Sequence, residues 1–378
     1  MEGVRILDKD KKFMQRALNL AEKARGMTSP NPMVGAVIVK NGKVISEDYH
    51  KKAGEPHAEA LAILKSGEKA KGSTLYVTLE PCCHLDKKTP PCTRAIINSG
   101  IKKVFIAMKD PNPKVSGKGI EELRKHEIEV VSGIFEDKAK KLNEAYIKYI
   151  TTRTPFVTLK TAMTLDGKIA TPEGQSKWIT GEKARRIVHR MRSSVDAILT
   201  AVGTVKADNP ELTVRMGQGS KVKGQGIKNP KRIVIDPNLE IPLDYKIFNV
   251  PPETIVVTKM GQGSRGKGQE LIDKGVKIIE YDDERVDLKW LMKRLGETGI
   301  TSVMIEGGSS LNAYALQDGI VDKVVFFIAP RIIGGKDSIP AIGGKTFRRL
   351  ENAFRVSDTK IKRVGDDLMV EGYLNLSA

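Results

Sequence analysis

The sequence predicts an α/β protein in two domains, residues 1–150 and 151–378. Short β-branched runs alternate with stretches of helical apolar spacing along the whole chain, the pattern of sheets covered by helices. At 378 residues the chain is long for a single hydrophobic core. The alternation starts afresh after "TTRTP" (151–155), where threonines and Pro155 mark a boundary.

In the first domain, "DKKFMQRALNLAEKAR" (10–25) puts Phe13, Met14, Ala17, Leu18, Ala21 and Ala24 on one helical face, with Asp8 or Asp10 as a cap. "VGAVIVKNGKVISED" reads as two strands about an Asn41-Gly42 turn. "EPHAEALAIL" is helical, "STLYVTLEP" a strand, and "TPPCTRAIINSG" a helix ended by Gly100. "KKVFIAM" and "GIEELRKHE" add a strand and a helix, and a last helix spans about 136–150. Together they make an α/β/α sandwich. The second domain has its own strands in "FVTLKTAMT", "AILTAVGTV", "RIVID", "TIVVT", "VKIIEY", "SVMIEGG" and "KVVFFIAP", with helices between. Two similar segments almost without apolar residues, "GQGSKVKGQG" (217–226) and "GQGSRGKGQE" (261–270), read as surface loops.

Composition narrows the function classes. The chain is 40% hydrophobic and 29% charged, a soluble globular balance. Its first residues lack a signal-peptide core, and no apolar run approaches the ~18 residues of a membrane span. A cytoplasmic protein without a membrane partner is expected. Residues 1–150 carry 28 Lys+Arg against 19 Asp+Glu, and the remainder 36 against 27. The +18 net charge is therefore spread evenly, with no basic arm and few aromatics to stack bases, so no nucleic-acid partner is expected.

All three cysteines fall at 82–92, in "EPCCHLDKKTPPC", and Cys82 follows Glu59 of "HAEALAIL" by 23 positions. In a reducing compartment such a cluster suggests a metal site. His57 at a helix start and two thiolates beside another helix provide three zinc ligands and leave the fourth position for water. Glu59 stands where it can shuttle protons beside that water. His-x-Glu followed by Pro-Cys and a later Cys is the known signature of zinc nucleobase deaminases. A closed zinc knuckle would need a fourth ligand, from His84 or Cys83.

"NPMVGAVIV", "GEPHAEALAI", "YVTLEPCCHLDKKTPPCTRAII" and "KDPNPKVSGKGI" together resemble the deaminase half of the bifunctional riboflavin-biosynthesis deaminase/reductase family. The resemblance implies a cytidine-deaminase-like domain holding one zinc per chain on His57, Cys82 and Cys92, with Glu59 catalytic. Its substrate would be a diamino-ribosylamino-pyrimidinone phosphate. Asn31, His50 and Lys88 would line the base and ribose pocket, with Asp110 and Asn112 on the nearby loop. The family usually has Ser in place of Cys83, and its His-to-Thr loop is one residue shorter than "HLDKKT". Glu-Pro-Cys selects Cys82 as ligand, whereas counting back from Cys92 selects Cys83. Cys82 is preferred, because an exposed polar loop takes an insertion more easily than a strand end takes a shift.

In the second domain no ordinary Rossmann fingerprint is expected. Instead "SVMIEGGSSLNAYAL" runs a strand through a Gly-rich turn into a helix, whose first amides suit a phosphate. "LKTAMTLDGKIA", "SKWITG", "MRSSVDAILTAVGTVKADNPELTVR" and "IAPRIIGG" resemble the reductase half of the same family, a dihydrofolate-reductase-like α/β domain that uses NADPH. By that resemblance Ala162, Trp178, Thr204 and Asp208 would contact the cofactor, with Gly308, Ser309, Ser310, Leu311 and Asn312 on its pyrophosphate. Lys160, Ser176, Arg192, Leu212, Arg215 and Glu306 would hold the sugar phosphate, the two arginines forking onto its phosphate. Lys160 and Glu306 would polarise or protonate the opening ribose while hydride reaches C1′. A homo-oligomer is expected. The competing reading is a nucleic-acid-acting zinc deaminase with a binding-only second domain, which would not oxidise NADPH.

Overall fold

The computed structural model describes residues 6–84, 90–215, 228–263, 266–345 and 349–374. The chain divides into two compact units, Met1–Arg153 and Thr154–Ala378. Among the described residues no helix is long and apolar enough to cross a membrane.

The first unit runs α1 (Asp8–Glu22), β1 (Gly35–Lys40), β2 (Lys43–Tyr49), α2 (Ala58–Ser66), β3 (Thr74–Leu79), α3 (Cys92–Asn98), β4 (Lys103–Met108), α4 (Lys118–Lys125), β5 (Glu129–Ser132), α5 (Glu136–Leu142) and α6 (Glu144–Thr152). The sheet order is β2-β1-β3-β4-β5. β1 pairs antiparallel with β2 and β3, and β3, β4 and β5 run parallel. The middle strands β1, β3 and β4 are buried almost throughout, because helices cover both faces. Asn41 and Gly42 both take positive φ (50° and 73°), which a two-residue hairpin requires. At Gly35 a Cβ would fall 2.0 Å from the Ala17 carbonyl oxygen, so only glycine lets α1 lie this close to β1. Asp10 caps α1 from inside its first turn, its carboxylate accepting from Leu7 N at 3.0 Å.

The helix expected over 136–150 breaks at Asn143. Its buried side chain accepts from Met33 N (2.8 Å) and donates to Met33 O (3.0 Å), tying the 31–34 segment down instead of continuing the helix.

The second unit contains β6 (Phe156–Thr164), β7 (Lys168–Ala170), α7 (Glu182–Ser194), β8 (Ala197–Ala201), α8 (Val202–Asp208), β9 (Lys231–Ile235), α9 (Lys246–Asn249), β10 (Thr254–Lys259), α10 (Lys267–Asp273), β11 (Lys277–Tyr281), α11 (Leu288–Glu297), β12 (Ser302–Ile305), α12 (Ser309–Gln317), β13 (Lys323–Ala329), β14 (Ile339–Pro340), β15 (Val356–Val364) and β16 (Asp367–Leu374). Its mixed sheet has the order β11-β10-β9-β8-β12-β6-β13-β16-β15, parallel from β11 to β13 and antiparallel at β16 and β15. Alternate residues serve opposite cores. Leu199, Ile233, Val257 and Val303 face α11 and α12, whereas Ile198, Val234, Val256 and Met304 face α9 and α10. The strand read through residue 205 stops at Ala201, and Val202 begins α8. The β15–β16 hairpin was missed because β15 is exposed along nearly its whole length and its sequence is correspondingly polar. Of the two surface-loop segments, 217–226 lies outside the described residues, and the second runs into α10 at Lys267.

One carboxylate organises the end of β3. Glu80 is buried and accepts from the amides of Asp110 (3.1 Å), Gly117 (2.9 Å), Gly119 (3.0 Å) and Ile120 (3.2 Å). Gly119 is required there, since a Cβ would meet Pro81 O at 2.2 Å. Glu80→Ala would leave four amides without their acceptor and is expected to destabilise the protein by at least ~3 kcal/mol. Urea unfolding of the full chain measures this, and an unchanged first transition would contradict it.

Candidate functional site

In the first unit the strand ends and helix starts converge. His57 is the N-cap of α2, Cys82 follows the end of β3, and Cys92 opens α3. His57 Nδ1 lies 3.2 Å from Cys92 Sγ and 3.6 Å from Cys82 Sγ, and all three ligand atoms fall within 4.8 Å of one another. Tetrahedral zinc places its nitrogen and sulfur ligands about 3.6 Å apart and two sulfurs about 3.8 Å apart, so the residues present fit that ion. Cys92 N donates to Cys82 Sγ (3.4 Å), and Thr93 N donates to Cys82 O (3.2 Å), which fixes the first thiol against α3. The Cys82 neighbour and burial push the Cys92 thiol well up, a direction that a divalent cation between two sulfurs reverses. Cys83 and His84 do not belong to the group.

Glu59, in the first turn of α2, is buried beside the cluster. Burial raises its carboxyl above the usual range, with His57 pulling the other way. His50 Nδ1 lies 3.2 Å from Pro56 O and Nε2 3.2 Å from Asn31 Nδ2. A carbonyl only accepts, so Nδ1 carries the proton and Nε2 accepts from the Asn31 amide. The His50 and His57 rings meet edge to face at 5.5 Å, which brings Asn31 and His50 to the ligand cluster. Asp110 and Asn112 shape their own loop. Asp110 Oδ1 accepts from Asn112 N (2.9 Å) and Tyr146 Oη (2.9 Å), and Asn112 Oδ1 accepts from Lys114 N (3.1 Å). Lys88 lies outside the described residues.

In the second unit the chemistry gathers at the end of β12. Glu306 pairs with Lys160 Nζ of β6 at 2.9 Å and with the Arg192 fork of α7 at 2.7 and 3.0 Å. Burial alone would raise its carboxyl, but Arg192 and Lys160 outweigh burial and hold it well below the carboxylate range. The fork expected to take a phosphate is therefore closed on Glu306, and the remaining Arg192 nitrogen donates to Thr213 O (3.0 Å). Arg215 is exposed, and its backbone amide donates to His189 Nδ1 at 3.1 Å. Leu212 is a core residue at φ 52°, its side chain packed with Ile198 and Val205. Ser176 Oγ donates to Asp208 Oδ1 (3.3 Å), so these two, expected to serve different ligands, stand together.

The Gly307-Gly308 turn leads into α12. A Cβ on Gly308 would stand 3.5 Å from Thr204 Oγ1, so the turn lies against α8 at ordinary contact distance. Ser309 Oγ and Asn312 Oδ1 are buried with no hydrogen-bond partner among the described residues, while Asn312 Nδ2 donates to Ala341 O (2.9 Å). Beside them an apolar cavity of about 220 Å³ opens between Ala201, Val202, Tyr281, Val286, Leu311 and Tyr314. A helix start with a glycine approach, an orphaned hydroxyl and an adjoining apolar cavity fits a dinucleotide. Ala162 lies on β6 opposite Phe327, and Trp178 is exposed with the Arg185 guanidinium 4.6 Å over its ring.

Residues 261–266 correct one expectation, because they spell Gly-x-Gly-x-x-Gly after β10. The protein fills that turn itself: Gly263 N donates to Glu280 Oε1 (2.8 Å), and a Cβ on Gly268 would strike Gln262 O at 2.1 Å. Sequence reasoning also missed Asp166 of "TLDGKIA". It accepts from Thr164 Oγ1 (2.6 Å) and Gly334 N (2.7 Å), bonds that hold its carboxyl down at about 2 and tie the β6–β7 turn to the 331–334 segment. Its one signal was an acid in a tight turn, which is common in any protein.

Comparison with known proteins bears on both units. The zinc-binding region of cytidine and deoxycytidylate deaminases matches residues 7–108, and the RibD C-terminal domain matches residues 155–370. A riboflavin biosynthesis protein RibD of Aquifex aeolicus is 46% identical over 366 residues, 97% of this chain and 98% of its own. A crystal structure of a diaminohydroxyphosphoribosylaminopyrimidine deaminase/5-amino-6-(5-phosphoribosylamino)uracil reductase from Thermotoga maritima is 38% identical and superimposes with a TM-score of 0.84, over 97% of this chain and 99% of that one. Acinetobacter baumannii RibD gives 0.88 at 38% identity, over 98% and 99%. With matches of this extent across both halves, the chain belongs to the RibD family of riboflavin biosynthesis proteins.

Proposed function

We propose that the chain deaminates 2,5-diamino-6-ribosylamino-4(3H)-pyrimidinone 5′-phosphate in its first domain, residues 1–150, and reduces the product's ribosyl group to ribityl in its second, residues 151–378. The observation that carries this is the pairing, in one chain, of a three-ligand metal cluster beside a buried Glu59 with a Lys160–Glu306–Arg192 group that leads through a glycine turn into the start of α12.

In the first site His57, Cys82 and Cys92 hold zinc, which supplies the Lewis acidity that makes a water nucleophilic near neutral pH. Glu59 takes the proton released by that water and passes it to the departing amine. Its raised affinity for protons suits it to carry one. Because His50 accepts from the Asn31 amide nitrogen, Asn31 Oδ1 is the atom left to read an N–H of the pyrimidine. Lys88 is assigned with them to the base and ribose pocket by the family resemblance alone, and Asp110 and Asn112 shape the nearby loop.

The second site would hold NADPH, which when bound would supply the hydride for C1′. The amides of Ser309, Ser310 and Leu311, with Gly308 and Asn312, hold its pyrophosphate, and Ala162, Trp178, Thr204 and Asp208 line its path. Lys160 donates a proton to the ribose ring oxygen as the ring opens, and Glu306, anchored by Arg192, holds that ammonium in place. Arg215, Ser176 and the Leu212 backbone hold the 5′-phosphate. The substrate gains one hydride and one proton overall. The substrates are small molecules, and a cytoplasmic homo-oligomer without a nucleic-acid partner follows from this reading. The match of residues 155–370 to the RibD C-terminal domain speaks against a second domain that only binds RNA. A two-step assay on the pyrimidine substrate, with and without NADPH, tests the whole: ammonia release should not need NADPH, and NADPH oxidation should need prior deamination.

Cys82→Ser should remove both zinc and deamination, while Cys83→Ser keeps both. Metal analysis showing the opposite dependence would move the insertion to before Cys83. Glu59→Gln should retain zinc yet lose deamination by about 10²–10⁴-fold, with reduction of pre-deaminated substrate unchanged. Loss of both activities together would contradict separate sites. Lys160→Met leaves Glu306 paired with Arg192, so the fold should hold while kcat for reduction falls by about 10²–10⁴-fold. NADPH affinity, read by fluorescence, should be unaltered, and an unchanged kcat would remove Lys160 from the chemistry.

A further inference from the structure

The proposed function gives no role to His189, although this residue contacts the segment that carries two of the expected substrate contacts. His189 and Arg192 stand three residues apart on α7 and so share a face. Both grip the same short stretch. Arg192 donates to Thr213 O at 3.0 Å, and His189 Nδ1 accepts from Arg215 N at 3.1 Å. The stretch from Leu212 to Arg215 is thus strapped to α7 at two neighbouring points, one through a carbonyl and one through an amide. The second bond exists only while Nδ1 is unprotonated, which puts the ring proton on Nε2.

We propose that His189 is a positioning residue for the reduction: its neutral ring holds the Arg215 end of the 213–215 strap so that Arg215 meets the substrate phosphate, and its protonation takes the acceptor away from the Arg215 amide. The charged groups around it favour the neutral form. Burial, Arg192 on its own helix and Arg215 from the strap all lower its affinity for a proton. Glu306 at the end of β12 and the Thr213 backbone act the other way, and the Glu306 carboxylate is already shared between Arg192 and Lys160 of β6. At neutral pH the strap is therefore fastened. As pH falls through the depressed histidine range, Nδ1 gains a proton, the Arg215 amide loses its acceptor, and a third cation appears beside the two arginines.

This inference rests on the reading of the second unit as the reductase, and the experiment separates the two. The full chain is assayed for NADPH-dependent reduction of the deaminated ribosylamino-pyrimidinedione phosphate between pH 5 and 8. His189→Leu should raise KM for that substrate about five- to tenfold, the weight of one backbone hydrogen bond, with kcat and NADPH affinity nearly unchanged. In His189→Asn the side-chain oxygen stands near the place of Nδ1 and does not titrate. That variant should keep a near wild-type KM at pH 7.5 and lose less affinity than wild type on acidification. The substrate phosphate titrates in the same range in every variant, so the difference between His189→Asn and wild type is what reports the histidine. A KM within twofold of wild type in His189→Leu, equal impairment of Leu and Asn variants, or identical acid limbs would each overturn the inference. If His189→Leu does not fold, the comparison of His189→Asn with wild type decides alone. Full activity in Lys160→Met as well would mean that the site reading has failed, whereas an inactive Lys160→Met beside unaltered His189 variants overturns only the strap.

Discussion

A carboxylate buried at the end of a central strand must be neutralised where it stands, and each unit of this protein is arranged around one such group. Glu80 ends β3 and Glu306 ends β12. The two are solved differently. Glu80 is saturated by backbone amides from the 110–120 segment, which belong to the fold and cannot leave. Glu306 is neutralised by two side-chain cations, Lys160 and Arg192, whose atoms can exchange partners when a ligand arrives. A carboxylate satisfied by amides is a structural clamp. One satisfied by a lysine and an arginine is a site at which charge can be redistributed.

The strand ends decide where these groups can be. In both sheets the strand that carries the site has a parallel neighbour and is buried on both faces, so the place left for a ligand is the crevice beyond its carboxyl end. Cys82 lies just beyond β3, and Glu306 and Gly308 just beyond β12. The helix that follows each strand end then contributes its first turn: Cys92 opens α3, and Ser309 opens α12. Two unrelated chemistries thus use one local device, a strand end facing a helix start. In the first unit the device presents thiols, and in the second it presents amides and a hydroxyl.

What was legible in the sequence follows from this. The metal ligands could be read because zinc dictates residue types, and a Pro-Cys at a strand end with a Cys at a helix start is rarely spelled by chance. The hairpin at Asn41-Gly42 could be read because both residues need positive φ. The helix break at Asn143 could not, since it arises from hydrogen bonds to Met33, 110 residues away in sequence. The same holds for Glu80, whose four amides come from residues 110–120. The β15–β16 hairpin was hidden for the opposite reason: an edge strand exposed on both sides carries no alternation to detect. Arg192 shows a third limit. Its residue type suited a phosphate or a carboxylate equally well, and only the fold brings Glu306, 114 positions away, within 2.7 Å.

The two functional carboxyls also divide the acid–base work by environment. Glu59 has burial as its largest influence, so its proton is held more tightly than in water. Glu306 is as deeply buried, yet two cations more than cancel that effect, so its proton is lost throughout the working pH range. Two glutamates at similar depth are thereby pushed apart in opposite directions, one suited to carrying a proton and the other to remaining an anion. A permanent anion cannot serve as the acid in ring opening. In the proposed function that proton therefore comes from Lys160, whose ammonium Glu306 orients at 2.9 Å. Arg192, with a far higher affinity for its proton, can only hold the anion still. On the proposed reading the chemistry of the second site turns on a lysine, although the strongly perturbed group there is a glutamate.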